Sequence, residues 1–208
     1  RAGETVLDLG SGGGKACYIM AQIVGPRGKV IGVDFNEEML ALARKYQSSI
    51  GDKRGYHNVE FRRCKIQNLR LNLDLVDQYL ATNPVRSVAD LIKLRQFEEE
   101  ISRERPLIPD GSIDVIVSNC VLNLVRPEDK KDLLSEMHRV LKRGGRIAIS
   151  DILSDEPAPE RLKNDRIRIY VVTHLRRRWS PEQIAGRIKI DLNEKISHEA
   201  IYRFIYTQ

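Results

Sequence analysis

The sequence predicts an α/β fold with a doubly wound, mostly parallel sheet, followed by a helical tail at the C-terminus. Three observations support this prediction. Short apolar stretches alternate with helical ones over the first part of the chain. Glycines cluster directly after the first apolar stretch, in "VLDLGSGGG". Beyond about residue 160 the pattern becomes basic and helical, with no clear strand.

The first sixty residues predict the order β-α-β-α-β. The strands are expected at Thr5–Leu9, Lys29–Val33 and Val59–Phe61, with a helix over Lys15–Val24 between the first two. Asn36 can cap a second helix that runs to about Ser49. In that helix four apolar residues are expected to face inward: Met39, Leu40, Leu42 and Ala43.

Residues 70–109 form a helical insertion, since two helical stretches at about 73–81 and 87–103 stand where a shorter crossover would suffice. The turn "PDGSID" then leads into a fourth strand at Ile113–Ser118.

The last part of the predicted sheet follows that strand. Pro127 is expected to open a helix to Lys142, which Gly144 and Gly145 stop, and Arg146–Ser150 is a fifth strand.

The net charge of +6 is confined to the end of the chain. Residues 1–160 carry 24 Lys and Arg against 24 Asp and Glu, whereas residues 161–208 carry 11 against 5. This asymmetry indicates a separate segment and not a nucleic-acid-binding body. The excess suits either a solvated basic helical tail or a surface that contacts phosphate.

The composition favours a cytoplasmic protein. Three widely spaced cysteines argue against a disulfide framework, and no apolar run approaches the ~18 residues that span a membrane. The first residues, "RAGETV", contain no signal-peptide pattern and no initiator Met, so we expect them to lie inside a longer reading frame.

The glycine cluster predicts a close approach of the backbone to a ligand. Gly10, Gly12 and Gly14 remove Cβ atoms where the chain turns, and the helix that follows offers its N-terminal N–H groups. The loop lacks the G-K-[ST] ending of a Walker A motif, and Lys15 replaces the last glycine of G-x-G-x-x-G. A purely structural tight turn is the alternative.

A second acid strengthens the interpretation as a ligand site. Asp34 ends the second strand, where a carboxylate can accept hydrogen bonds from both hydroxyls of a ribose. Phe35 follows and could lie against an adenine face. Alternatively, Asp34 only caps the next helix, and the two roles are compatible.

The segments "VLDLGSGGG", "GVDFNEEML" and "LKRGGRIAISD" together resemble the class I S-adenosylmethionine-dependent methyltransferases over about residues 3–155. The resemblance implies a Rossmann-like sheet, truncated here after strand five, and S-adenosylmethionine as the cofactor. It also implies a set of site residues. Those expected to bind the cofactor are Asp8, Gly10, Ser11, Gly12, Gly14, Asp34, Phe35, Ile66, Gln67 and Asn119. Gln67 stands where the family often has an acid.

Within that class, "GKACY", "VGPRGKVIGVD" and "VSNCVLNL" look most like the arsenite methyltransferases. In that family one cysteine follows the glycine loop and another follows "SN", positions that Cys17 and Cys120 occupy. Trivalent arsenic is thiophilic, so two thiolates beside the cofactor's methyl group, next to Asn119, could hold it for attack. Taken alone, each cysteine is better explained as a small buried hydrophobe, and the two matched positions together favour a thiol site. Cys64 is expected in the core, and no metal site is predicted.

The segment from Leu175 to Tyr206, with "RRRWSPEQIAGRIKI" and "ISHEAIYRFIY", resembles part of the bacterial insertion-sequence transposases. In that family the segment helps to build a helix-turn-helix-like unit. Ser180 and Ser197 are expected to start two short helices, and Arg176–Arg178 could touch phosphate. On the other interpretation, the helices only cover the sheet.

We therefore expect two parts, a methyltransferase domain at 1–160 and a basic tail at 161–208, with a chimeric junction between about 160 and 172. The predicted function is methyl transfer from S-adenosylmethionine to a small acceptor, with arsenite as the first candidate. The alternatives are a nucleic-acid-binding module that uses the tail and a cofactor-binding pseudoenzyme. An exposed edge at strand five would permit a homodimer.

Overall fold

A computed structural model describes residues 1–151, 165–176 and 179–206. Five parallel strands form one sheet: β1 (Thr5–Leu9), β2 (Lys29–Asp34), β3 (Val59–Arg63), β4 (Ile113–Asn119) and β5 (Leu141–Ser150). Their order in the sheet is β3-β2-β1-β4-β5, and every neighbouring pair is parallel. The order reverses at β1, so the crevice beside its carboxyl end is the place where such sheets bind ligands.

Helices connect the strands: α1 (Lys15–Val24), α2 (Glu37–Lys45), α3 (Gln47–Arg54), α4 (Leu73–Thr82), α5 (Val88–Glu104) and α6 (Lys130–Val140). The doubly wound class is confirmed, and both insertion helices lie close to their predicted bounds. None of the helices in the described part of the chain is long and apolar enough to cross a membrane.

The single helix predicted from Asn36 to Ser49 was wrong. Asn36 does cap α2 by accepting from the amide of Met39, but the helix ends at Lys45, and α3 continues from Gln47. The inward face of α2 consists of Leu40 and Ala43, while Met39 and Leu42 are substantially exposed. Met39 and Leu42 are exposed because they lie beside Gly12 and Gly13, in the loop at the carboxyl end of β1.

The helix predicted to run from Pro127 to Lys142 is also shorter. Short 3-10 turns at Leu122–Leu124 and Pro127–Asp129 precede α6, which ends at Val140. Strand β5 begins directly at Leu141, so the two glycines predicted to stop the helix lie inside the strand. Gly144 and Gly145 fall between Leu141 and Arg146, where the register of β4 with β5 shifts, and Gly144 has a φ of 81°. The local signal for a turn therefore persists as an irregularity within the strand.

The outermost strand, β5, is poorly covered. Ile147 and Ile149 remain 43% and 47% exposed, although the strands of parallel sheets are usually covered on both faces. A homodimer through this edge stays a prediction.

The chain divides into two compact units. The first comprises Arg1–Leu122 and Pro127–Asp151, and the second comprises residues 123–126 and 152–208. The core of the first packs α1, α2 and the strands around Leu40, Phe61 and Val30. Of the predicted junction between about 160 and 172, residues 160–164 fall outside the described residues.

The described part of the second unit contains three helices: α7 (Asp165–Arg176), α8 (Pro181–Leu192) and α9 (His198–Tyr206). Ser180 caps α8 in a capping box with Gln183, and the Ser197 hydroxyl accepts from the amide of Ala200 at the start of α9, so both predicted helix starts are confirmed. One fully buried residue from each helix forms its core: Val171, Ile184 and Ile201. These helices therefore bury a face against one another.

Candidate functional site

The glycine loop lies at the carboxyl end of β1 and is held by backbone hydrogen bonds to β2. The amides of Gly10 and Ser11 both donate to the carbonyl of Val33, at 2.9 and 3.0 Å. Gly10, Gly12 and Gly14 all have positive φ, of 71°, 51° and 79°. Such angles favour glycine, so the sequence cluster has a conformational cause.

Two of these glycines also permit close packing. A Cβ on Gly10 would lie 2.6 Å from a methyl of Val121, just beyond β4, and one on Gly14 would lie 2.5 Å from the ring of Phe61 on β3. The loop therefore touches the segment after β4 on one side and β3 on the other. Val121 was not anticipated from the sequence, because an isolated valine gives no functional signal.

Asp34 joins the loop to the end of β2. Its two carboxylate oxygens accept from the amides of Gly12 and Asn36, both at 2.9 Å. One lone pair on each oxygen remains for a further donor, such as a ribose hydroxyl. The Asp34 side chain does not cap α2. Asn36 is the N-cap residue, because its side chain accepts from the amide of Met39.

The residues expected around an adenine ring lie at the adjacent strand ends. Phe35 follows β2 and is 47% exposed. Ile66 and Gln67 occupy a tight turn after β3, closed by the Lys65–Asn68 bridge. The amide of Cys64 donates to the carbonyl of Asp34, which ties the start of this turn to β2. The fold thus places the three expected residues beyond the carboxyl ends of the neighbouring strands β2 and β3.

Asp8 and Cys17 form a buried pair beneath the loop. The Cys17 thiol donates to the Asp8 carboxylate, with Sγ 3.1 Å from Oδ2, and both side chains are almost fully buried. Burial raises the pKa of Asp8 to about 6, with a further increase from the charge of Asp34, while the thiol hydrogen bond acts in the opposite direction. Burial also raises the pKa of Cys17, so its thiol is protonated at neutral pH.

Cys120 has the opposite environment. It is exposed, follows β4, and has a φ of 56°, which is uncommon for a residue other than glycine. Its amide donates to the carbonyl of Ser150 at 2.8 Å, and its sulfur lies 3.6 Å from Oδ1 of exposed Asn119. Cys64, as expected, is buried in the core, and burial raises its pKa. Coordination of one atom by Cys17 and Cys120 together stays a prediction, and the burial of Cys17 counts against it.

A sulfonium cofactor fits this arrangement. It has no phosphate, so the loop need only permit close approach, and a Cβ on Gly12 would have one atom within 4 Å, the Met39 methyl carbon at 3.5 Å. In the described residues, no group of three or more His, Cys, Asp or Glu side chains could hold a metal ion.

Comparison with known proteins agrees with this geometry. Two family models described as methyltransferase domains match residues 1–103 and 88–149. Residues 1–149 belong to the methyltransferase domain family. The match, together with the related structure described below, implies S-adenosylmethionine as the cofactor of this domain.

The relatives of this methyltransferase domain include arsenite methyltransferases. An arsenite methyltransferase of Aquipseudomonas alcaligenes is 36% identical over 165 residues, which cover 79% of this chain and 37% of that protein. One from Halobacterium salinarum is 37% identical, covering 78% of this chain and 31% of that protein.

A solved structure shows the same fold. The arsenic(III) S-adenosylmethionine methyltransferase from Chlamydomonas reinhardtii aligns with a TM-score of 0.53 and 31% identity, over 83% of this chain and 44% of that one. The chain thus spans roughly a third of the length of the curated relatives and under half of the solved one.

Proposed function

We propose that the chain binds S-adenosylmethionine at the carboxyl ends of β1 and β2 and transfers its methyl group to trivalent arsenic. The observation that carries the cofactor half is the Asp34 carboxylate, which is fixed by two backbone amides and retains a lone pair on each oxygen. A carboxylate oriented in this way suits the two hydroxyls of a ribose.

We assign a set of residues to each part of the cofactor. Asp34 would accept from the ribose, while Phe35, Ile66 and Gln67 would enclose the adenine. Five residues would line the amino-acid end: Asp8, Gly10, Ser11, Gly12 and Gly14. Asn119, exposed at the end of β4, would face the methyl group. When bound, S-adenosylmethionine supplies an electrophilic methyl group on a sulfonium.

Two observations support arsenic as the acceptor: the relatives are arsenite methyltransferases, and Cys120 is exposed directly after β4. Trivalent arsenic binds thiols and has its own lone pair, so its attack on the methyl carbon requires no general base. Cys120 is the exposed one of the three free cysteines, and it sits beside Asn119. A second thiol from Cys17 would require the Asp8 hydrogen bond to open. Free thiols suit a reducing compartment such as the cytoplasm.

The cofactor half is tested by calorimetric titration with S-adenosylhomocysteine. Wild-type protein should bind, and Asp34→Ala should weaken binding by roughly 1.5–3 kcal/mol, the range for hydrogen bonds to a charged group. The control is Asp132→Ala, an exposed aspartate in the first turn of α6, which should bind as wild type does. Absence of wild-type binding at millimolar ligand would reject the proposal.

The acceptor half is tested by titration with arsenite, followed by detection of methylated arsenic in the presence of S-adenosylmethionine. Cys120→Ser should abolish arsenite binding, and Cys64→Ser should retain it because that thiol is buried. Cofactor binding without methylation would favour the pseudoenzyme. Arsenite binding that survives in Cys120→Ser would exclude this thiol as the acceptor site.

The second candidate function is weak binding of duplex DNA by the tail. We propose that the tail derives from a transposase-like sequence. The supporting observation is its own three-helix core in a basic segment. Two of the three arginines, at 177 and 178, lie outside the described residues. If they engage phosphate, affinity for duplex DNA should fall with salt at a log–log slope of about −0.9 per contact. We expect weak binding without sequence preference, and a salt-resistant, sequence-selective complex would contradict this.

A further inference from the structure

The buried pair of Asp8 and Cys17 joins the first strand to the first helix. Asp8 lies on β1, and Cys17 lies in the first turn of α1, directly after the glycine loop. The thiol is the donor and the carboxylate the acceptor, at 3.1 Å. The contact therefore spans the base of the loop that would receive the cofactor.

Gly32 provides the space for this contact. It is the register partner of Asp8 on β2, and a Cβ there would lie 2.8 Å from Sγ of Cys17 and 2.8 Å from Oγ of Ser11. A glycine within a strand marks such a close approach. The Ser11 hydroxyl is buried and has no partner among the described residues, so it does not compete for Asp8.

We propose that Cys17 is a positioning residue whose thiol orients the Asp8 carboxylate and keeps it ionised for the cofactor's amino group. This inference rests on the proposed function, since it requires S-adenosylmethionine to bind at the loop. It assigns the thiol a role different from that of an arsenic ligand, because a sulfur that donates to Asp8 from the core is not available to a substrate.

Electrostatics explain why a weak donor matters here. Burial and the charge of Asp34, from β2, both raise the pKa of Asp8, and Cys17, from α1, opposes them. The register neighbours of Asp8, Gly32 on β2 and Val117 on β4, are uncharged. Loss of the thiol would leave Asp8 more often neutral near pH 7, and a neutral acid attracts an ammonium group less strongly.

The test compares wild type with Cys17→Ala, Cys17→Ser and Cys64→Ala. Cys64 is the matched control, because it is an equally buried cysteine whose thiol does not donate to Asp8. Two quantities are measured between pH 5 and 8: the pKa of Asp8 without ligand, from its carboxyl carbon chemical shift, and the dissociation constant of S-adenosylhomocysteine.

Cys17→Ala should raise the pKa of Asp8 by roughly half a unit to one unit, as expected for the loss of one hydrogen bond. The pH below which affinity falls should rise by the same amount, and affinity at pH 7 should drop by up to about twofold. Cys17→Ser should restore wild-type behaviour because a hydroxyl also donates, and Cys64→Ala should match wild type.

A purely structural role would give a different result. If Cys17→Ala lowers the melting temperature as Cys64→Ala does but leaves the pKa of Asp8 unchanged, the proposal is overturned. If Cys17→Ala does not fold, Asp8→Asn decides: it must abolish the pH dependence of affinity, and persistence of that dependence rejects the proposal. Failure of wild type to bind ligand would reject the proposed function, while the pKa of Asp8 would still test the pair.

Discussion

The two compact units differ in how they use their backbone. In the first unit, the loop after β1 is fixed by amides that donate to Val33 and Asp34, and its glycines have positive φ. In the second, three amphipathic helices bury Val171, Ile184 and Ile201, and α8 begins in a capping box. The first unit therefore carries a loop that its own backbone hydrogen bonds hold in place, whereas the second shows what a small helical core requires. Four substitutions can break or sharpen this contrast.

The largest effect is expected from Ile184→Ala in the tail. Ile184 is fully buried, and truncation of such a side chain costs about 3 kcal/mol, a large share of the stability of so small a core. The helical signal of the tail should decrease in circular dichroism, while binding of S-adenosylhomocysteine by the first unit persists. Ile190→Ala is the control, since Ile190 on the same helix is 73% exposed. Loss of ligand binding in Ile184→Ala alone would show that the units are not independent.

Gly14→Ala tests the loop. The substitution places a Cβ at a φ of 79° and 2.5 Å from Phe61, so we expect a loss of about 2–3 kcal/mol in unfolding free energy. Gly55→Ala is the matched control, because Gly55 has a φ of 78° with nothing near its Cβ position and should lose only about 1 kcal/mol. Equal losses in chemical denaturation would mean that packing against Phe61 contributes nothing.

Asp8→Asn tests the electrostatic strain beneath the loop. The folded pKa of Asp8, about 6, is above its usual value of 3.8, so its contribution to stability is present below pH 4 and is lost as pH rises through 6. At pH 7 the substitution should raise the unfolding free energy by roughly 2 kcal/mol, with little change at pH 4. Denaturation at both pH values measures this. Asp132→Asn should show no such difference, and an equal gain in both variants would contradict the assignment.

The sequence predicted the sheet and the loop because both depend on local patterns. Apolar periodicity located all five strands, and the glycines with Asp34 predicted a candidate site whose residues the fold brings into contact. One error arose at the end of α6, which stops at Val140, before the glycines that were predicted to stop it. Gly144 and Gly145 instead lie in the irregular stretch of β5, where its register with β4 shifts. The Cys17–Asp8 contact could not be predicted, since it depends on the space above Gly32, although a glycine inside "VIGVD" was an available signal.

The smallest effect concerns Cys120, whose φ of 56° has a counterpart of 54° at Asn193 in the tail. Asparagine adopts this conformation readily, and Asn193 ends α8 in that way, whereas cysteine does so at a cost of about 1 kcal/mol. Cys120→Gly should therefore raise the unfolding free energy, but by less than 1 kcal/mol, because glycine also gains entropy in the unfolded chain. Asn193→Gly should change it by a few tenths at most. Cys120→Ala removes the thiol without relieving the backbone, so a gain equal to that of Cys120→Gly would show that φ is not the cause.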